Sequence, residues 1–191
     1  MLQNRVIPAL TINDGYLVKT VNFKNPRYVG DPLNAVKIFN EKEVDELMFL
    51  DITASKNSQE PNFKLIKDIS GECLMPLTYG GGIRNLIQAK KIFSLGVEKI
   101  CIQSAALENQ RLISEIIDNF GSQSIILSID IKRDFLMRPR IYSYLRNRNL
   151  NVKWIEFIKS YVGLGIGELL INSVDKDGLL NGPDLEIISI L

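Results

Sequence analysis

Three consecutive glycines, Gly80, Gly81 and Gly82, follow the short apolar run Pro76-Leu77-Thr78-Tyr79 and precede a helical pattern that begins near Leu86. Without Cβ atoms such a turn can take positive φ and bring bare N–H groups against an anion, so the chemistry on offer is phosphate binding at a strand–turn–helix junction. The triplet would equally make a tight turn with no ligand, and its spacing is neither the dinucleotide fingerprint nor the phosphate-loop pattern. The 191 residues contain 0 histidines, which excludes a histidine triad, a histidine-rich zinc site and the usual imidazole proton shuttle. Acid–base work therefore falls to Asp, Glu, Lys, Tyr or Cys. Cys73 and Cys101 are far apart and outside any C-x-x-C pattern; Cys101 lies in an apolar run and reads as a small buried residue. No disulfide, metal or cofactor is expected.

The elements that must position these residues are legible as an alternation. Apolar runs of strand length lie at 5–11, 46–52, 75–79, 99–103, 124–130 and 168–172, nearly continuous in Ile, Leu, Val and Phe, as parallel strands covered on both faces would be. Helical patterns fall between them. The segment 31–42 opens with Asp-Pro, and those at 86–95, 109–120 and 154–162 end at Gly96, Gly121 and Gly163. Two stretches break the rhythm. The segment 13–30 reads as a long loop. The arginine-rich segment 133–151, with Tyr142 and Tyr144, reads as either a solvated charged hairpin or an anion-gripping flap. The run 45–51 matches 167–172, and the strand ending at Thr11 matches by the same offset the one ending at Asp130. Such a two-fold repeat of βα units points to a (β/α)₈ (TIM) barrel and away from an open doubly wound sheet.

Bulk properties narrow the class. With 46% hydrophobic and 24% charged residues the chain can form one globular domain, and its net charge of +1 gives no field that would recruit nucleic acid or an anionic membrane. The opening Met1-Leu2-Gln3-Asn4-Arg5 lacks the apolar core of a signal peptide, and no apolar run reaches the ~20 residues of a membrane span. A soluble, cytoplasmic protein is expected.

Over its whole length the sequence resembles the cyclase (synthase) subunit of imidazole glycerol phosphate synthase, a (β/α)₈ barrel of histidine biosynthesis. The resemblance is carried by Arg5-Val6-Ile7-Pro8, Asp14-Gly15-Tyr16-Leu17-Val18-Lys19, Gly30-Asp31-Pro32, Phe49-Leu50-Asp51-Ile52-Thr53-Ala54-Ser55, Gly80-Gly81-Gly82-Ile83, Asp130 with Lys132-Arg133, and Asp175-Lys176-Asp177-Gly178. It implies an enzyme that adds ammonia from a glutaminase (amidotransferase) partner, in a heterodimer, to a doubly phosphorylated ribonucleotide and then closes an imidazole ring. By the same resemblance one phosphate would lie at Gly81, Gly82, Gln103 and Ser104, where the family usually has Asn-Thr in place of Gln103-Ser104, and the other at Asp177 and Gly178. Lys19, Asp51 and Asp130 would form a polar cluster at the barrel mouth. Arg5, Glu46, Lys99 and Glu168, each opening a strand, would form a charged ammonia gate at the barrel floor, with Asp45 and Glu98 beside it for docking the glutaminase.

One position departs from the pattern. The family uses two aspartates, one as acid and one as base; Asp130 is present, but the other place carries Thr11, whose hydroxyl accepts no proton near neutral pH. Thr11 fits paralogues of this family that amidinate a surface-polysaccharide sugar without closing an imidazole. A further alternative is a non-catalytic, shortened glutaminase-binding subunit. Six βα units are present and the family's seventh and eighth strands are absent, so residues 1–191 are expected to be a single incomplete barrel with bare edges on its first and sixth strands, poorly stable, inactive or completed by another chain.

Overall fold

A computed structural model describes residues 4–191 of the protein. Six parallel strands form its centre: β1 (Ala9–Asn13), β4 (Leu47–Asp51), β5 (Leu77–Gly80), β6 (Lys99–Ile102), β7 (Ile125–Arg133) and β10 (Glu168–Ser173) pair in that order, each with its successor. Parallel pairing of successive strands requires a crossover connection between each pair. The crossovers carry α1 (Pro32–Glu41), α2 (Ile52–Lys56) and α3 (Phe63–Glu72), α4 (Leu86–Ser94), α5 (Ser104–Glu108) and α6 (Gln110–Phe120), and α7 (Trp154–Val162); α8 (Leu185–Ser189) follows β10.

Alternation along the strands divides the apolar residues between two cores. Ile12, Phe49, Tyr79, Ile100, Leu127 and Ile129 point outward and pack with Val36, Ile66, Ile92, Ile113, Ile116, Trp154 and Ile158 of the helices. Their neighbours Met48, Cys101 and Ile126 point inward and form a second, smaller cluster with Ile7, Leu50 and Leu170. A sheet curved enough to own an inner apolar cluster, with helices on its outer face only, is barrel wall.

Helix boundaries follow their local chemistry. Asp31 caps α1 through Leu33 and Asn34, with Pro32 in the first turn; Asn85 caps α4 through Gln88; Asn109 caps α6 through Leu112. Gly96 (φ 95°) and Gly121 (φ 86°) follow α4 and α6 in the left-handed region that a C-terminal stop favours. The short α2 and α5 and the ten-residue α3 were hidden in the sequence, because none shows both an apolar stripe and a glycine stop.

The segment 13–30 is a β-hairpin, not a loop: β2 (Tyr16–Val21) pairs with β3 (Lys24–Gly30) and lies antiparallel against the end of β1. Its turn residues Asn22 and Phe23 both take positive φ (50° and 60°), the geometry that matches hairpin twist, which the sequence conceals because a phenylalanine fills a glycine's place. The edge of β1 expected to be bare is thus covered along Thr11–Asn13. The segment 133–151 is a second hairpin, β8 (Pro139–Ser143) with β9 (Arg148–Asn149), and β8 extends the end of β7 antiparallel. Among the described residues no helix is long and apolar enough to cross a membrane.

Phe49 has no exposed surface and is among the largest side chains wholly enclosed by the outer core. Replacing it with alanine is expected to cost about 3–5 kcal/mol of unfolding free energy, measured by urea denaturation.

Candidate functional site

The inward-pointing residues form an axis running from floor to mouth. At the floor, before β1 and at the starts of the next strands, Arg5, Glu46, Lys99 and Glu168 meet in one network. Arg5 donates to Glu46 and, at 3.0 Å, to Glu168; Lys99 Nζ lies 2.8 Å from Glu46 and 2.7 Å from Glu168. Each cation touches both anions, so the four side chains close a ring. Burial works against the Lys99 ammonium, yet its bonds to Glu168 and Glu46 outweigh that and raise its pKa; in Glu168 the bonds from Lys99 and Arg5 outweigh the upward push of burial and lower it. Glu46 is the most enclosed member at 5% exposure. Beside the ring, Asp45 accepts the Val6 amide at 2.7 Å, and Glu98 is exposed.

Above the ring lies the inner apolar cluster, and above that the strand ends open into a cavity of about 280 Å³. Thr11 from β1, Asp51 from β4, Gly80 and Gly81 after β5, Gln103 after β6, Asp130 from β7 and Asn172 from β10 line it. A neighbouring cavity, also about 280 Å³, is lined by Gly81, Gly82, Gln103 and Ser104, and Leu145 of the β8–β9 turn forms a wall common to both.

The glycine turn is fixed by crowding. A Cβ on Gly81 would stand 2.3 Å from the Asp51 carbonyl oxygen, and one on Gly80 would stand 2.8 Å from that of Cys101; Gly81 (φ 123°) and Gly82 (φ 71°) also need the left-handed region. The Gly82 amide donates to Ser55 Oγ at 3.0 Å, and no side chain caps the first turn of α5, where Ser104 stands. A glycine backbone and a serine hydroxyl thus face the second cavity together.

Asp130 is only 4% exposed. Its Oδ1 accepts from Asn172 Nδ2 at 2.9 Å and its Oδ2 from Gln103 Nε2. Burial pushes the carboxyl up to about 6, the two amides oppose that, and the nearby Asp177 charge reinforces it. Asp51 is occupied differently: its Oδ1 caps α2 by accepting from Thr53 and Ala54 (2.9 and 3.0 Å), while burial raises its pKa. Thr11 lines the cavity and brings no titratable group.

Of three further expected site residues, Lys19 and Gly178 line neither cavity, and Asp177 lines the first while its carboxylate is engaged by the fold. Lys19 is exposed on β2 and lines neither cavity, so the anticipated cluster of Lys19, Asp51 and Asp130 does not form; bulges between Leu17 and Val18 and after Lys19 break the alternation and turn the lysine outward. Asp177 reaches the mouth, but its carboxylate accepts from Thr20 Oγ1 (2.7 Å) and the Phe23 amide (2.9 Å) and so pins the β2–β3 hairpin. Gly178 lines neither cavity; it gives the hairpin room, since a Cβ there would meet the Thr20 carbonyl oxygen at 2.2 Å. The roles of Asn172, the second amide on Asp130, and of Ser55, which accepts the Gly82 amide, are not readable from residue order, because an asparagine at a strand end or a serine in a short helix has no distinguishing spacing. Phe23 and Tyr144, whose ring centroids lie 6.4 Å apart across the two hairpin turns, also line the mouth.

Comparison with known proteins gives the sequence a context. The family described as histidine biosynthesis protein matches residues 5–191. The chain is 50% identical to a provisionally named imidazole glycerol phosphate synthase subunit hisF2 of Pseudomonas aeruginosa, over 98% of this chain and 75% of that protein. It is 47% identical to a provisionally named subunit HisF of Leptospira interrogans, over 98% of this chain and 74% of that one. Against the imidazole glycerol phosphate synthase subunit HisF of Streptococcus gordonii it is 36% identical over 98% of this chain and 75% of the relative.

The folded state holds the Asp130 proton more tightly than the unfolded chain does, so this group's contribution to stability falls as pH rises from the ordinary 3.8 to about 6 and is level above. The Asp130→Asn variant is expected to lose this slope, a difference of about 3 kcal/mol across that window, read from urea denaturation of both proteins at several pH values.

Proposed function

The chain belongs to the family of histidine biosynthesis proteins, which are (β/α)₈ barrels, and within it we propose that the protein is the ammonia-using synthase (cyclase) component of an imidazole glycerol phosphate synthase, fed by a glutaminase subunit. The observation that carries this reading is the stacking, along the same inward strand positions, of a charge ring, an apolar plug and a carboxyl-bearing mouth. Opening the ring by swinging out Arg5, the most exposed of the four, breaks its two ion pairs, with Glu46 and Glu168, and leaves both pairs of Lys99 in place. The apolar cluster beyond it passes neutral ammonia and rejects ammonium, whose desolvation is far costlier.

At the mouth a phosphorylated ribonucleotide anchors one phosphate on the Gly81, Gly82 and Ser104 cavity, with its reacting carbon over Asp130. Asp130, with its pKa near 6, takes a proton from the adding nitrogen and returns one as the ring closes and the leaving fragment departs. Asp177 and Gly178 then serve the second end of the substrate indirectly, by setting where the β2–β3 hairpin lies. Lys19 joins only if that hairpin shifts.

A second reading is favoured by Thr11. With one of two proton-transfer groups missing, amination without ring closure remains feasible, as in a paralogue that amidinates a surface-polysaccharide sugar.

Ammonium-driven turnover of the imidazole precursor separates the two. The synthase reading expects slow conversion by the natural protein and a gain of about 10²–10⁴-fold in Thr11→Asp; conversion by neither protein rejects it. Glu168→Ala, paired with the glutaminase, is expected to uncouple glutamine hydrolysis from product formation while added ammonium still supports turnover. Equal loss with both nitrogen sources would remove the gate from the proposal.

A further inference from the structure

Gln103 directly follows β6, as the residue before α5, and it lines both mouth cavities. Its amide nitrogen is nevertheless committed to Asp130 Oδ2, opposite the Asn172 amide on Oδ1. The two arms come from the strands flanking β7 on either side, which pair with it residue by residue. Asn172 lies across the ladder from Asp130 itself and also approaches Ser128 Oγ at 3.4 Å. A carboxylate gripped at both oxygens from both neighbouring strands cannot rotate, and each oxygen keeps a lone pair for a further donor.

We propose that Gln103 is a positioning residue for Asp130, one arm of a two-amide clamp with Asn172 that fixes the carboxyl plane toward the cavity and favours its ionised, proton-accepting form. The inference rests on the reading of Asp130 as the proton-transfer group, and it takes Gln103 out of the phosphate site. Enclosure alone would drive this carboxyl toward its neutral form, and the nearby Asp177 charge adds to that pressure. The other titratable groups that sense Asp130 are Cys101 from β6 and Tyr142 from β8; Lys132 lies over the Tyr142 ring at 5.0 Å, and Asp51 faces the same cavity from β4. Against two acidic side chains and an apolar wall, the amides are the neighbours that stabilise the anion.

The test is a ¹³C-carboxyl NMR titration of Asp130 in the ligand-free full chain, its signal assigned by loss in Asp130→Asn, for the natural protein, Gln103→Leu and Gln103→Asn. Removing a donor to a charged acceptor is expected to raise the Asp130 midpoint by on the order of one to two pH units in Gln103→Leu. The shorter amide of Gln103→Asn, which falls short of Oδ2, should raise it by less. In ammonium-driven turnover the acid limb of the kcat profile should move by the same amount with KM little changed. An unmoved midpoint in both variants overturns the clamp, and so does an effect confined to KM, the mark of an anion ligand. Because the titration needs no substrate, a moved midpoint with no product from any of the proteins would support the clamp and count against the synthase reading alone.

Discussion

Parallel pairing of six strands with their alternate side chains turned to one shared axis is the constraint from which the rest of the molecule follows. Along β7 the outward positions Ile125, Leu127, Ile129 and Ile131 enter the outer core, and the intervening Ile126, Ser128 and Asp130 face the axis. The same two-residue step puts Glu46 below Met48 and Leu50 on β4, and Glu168 below Leu170 and Asn172 on β10. Slipping one strand by a single residue would send a carboxylate into the outer apolar layer and an isoleucine into the mouth. Register and chemistry are therefore fixed together.

That constraint also explains the contrast between the two ends of the axis. At the floor, charges of both signs are close enough to neutralise one another. At the mouth, Asp130 has amides and no cation against it, so its burial is left partly uncompensated. One end of the axis thus carries paired charges, and the other a buried carboxyl held by neutral amides.

Much of this was legible from residue order. The six strand runs, the capped helices α1, α4 and α6, the amphipathic α7, the glycine turn and the four charged strand openers all announced themselves by local pattern. The strand openers could be placed together because β-alternation is a strict rule once the fold class is known. The first hairpin was missed because its turn uses Asn22 and Phe23 in a conformation usually signalled by glycine, and its bulges erase the period-two pattern that would have marked Lys19 as outward-facing. The roles of Gln103, Asn172 and Asp177 depend on which side chains meet across strands distant in the chain, and no one-dimensional spacing encodes such meetings.

The hairpin's attachment has a temporal consequence. Asp177 holds Thr20 and Phe23 across more than 150 positions of the chain, and Glu168 meets Arg5 across 163. A polypeptide leaving the ribosome exposes its first strand and hairpin long before either acidic partner has been synthesised. Early-emerging Arg5 and Phe23 must wait, and contacts of such long range make the last stage of maturation slow. The floor ring and the Asp130 hydrogen bonds both draw on the sixth parallel strand, so these contacts at the two ends of the axis form together when that strand docks.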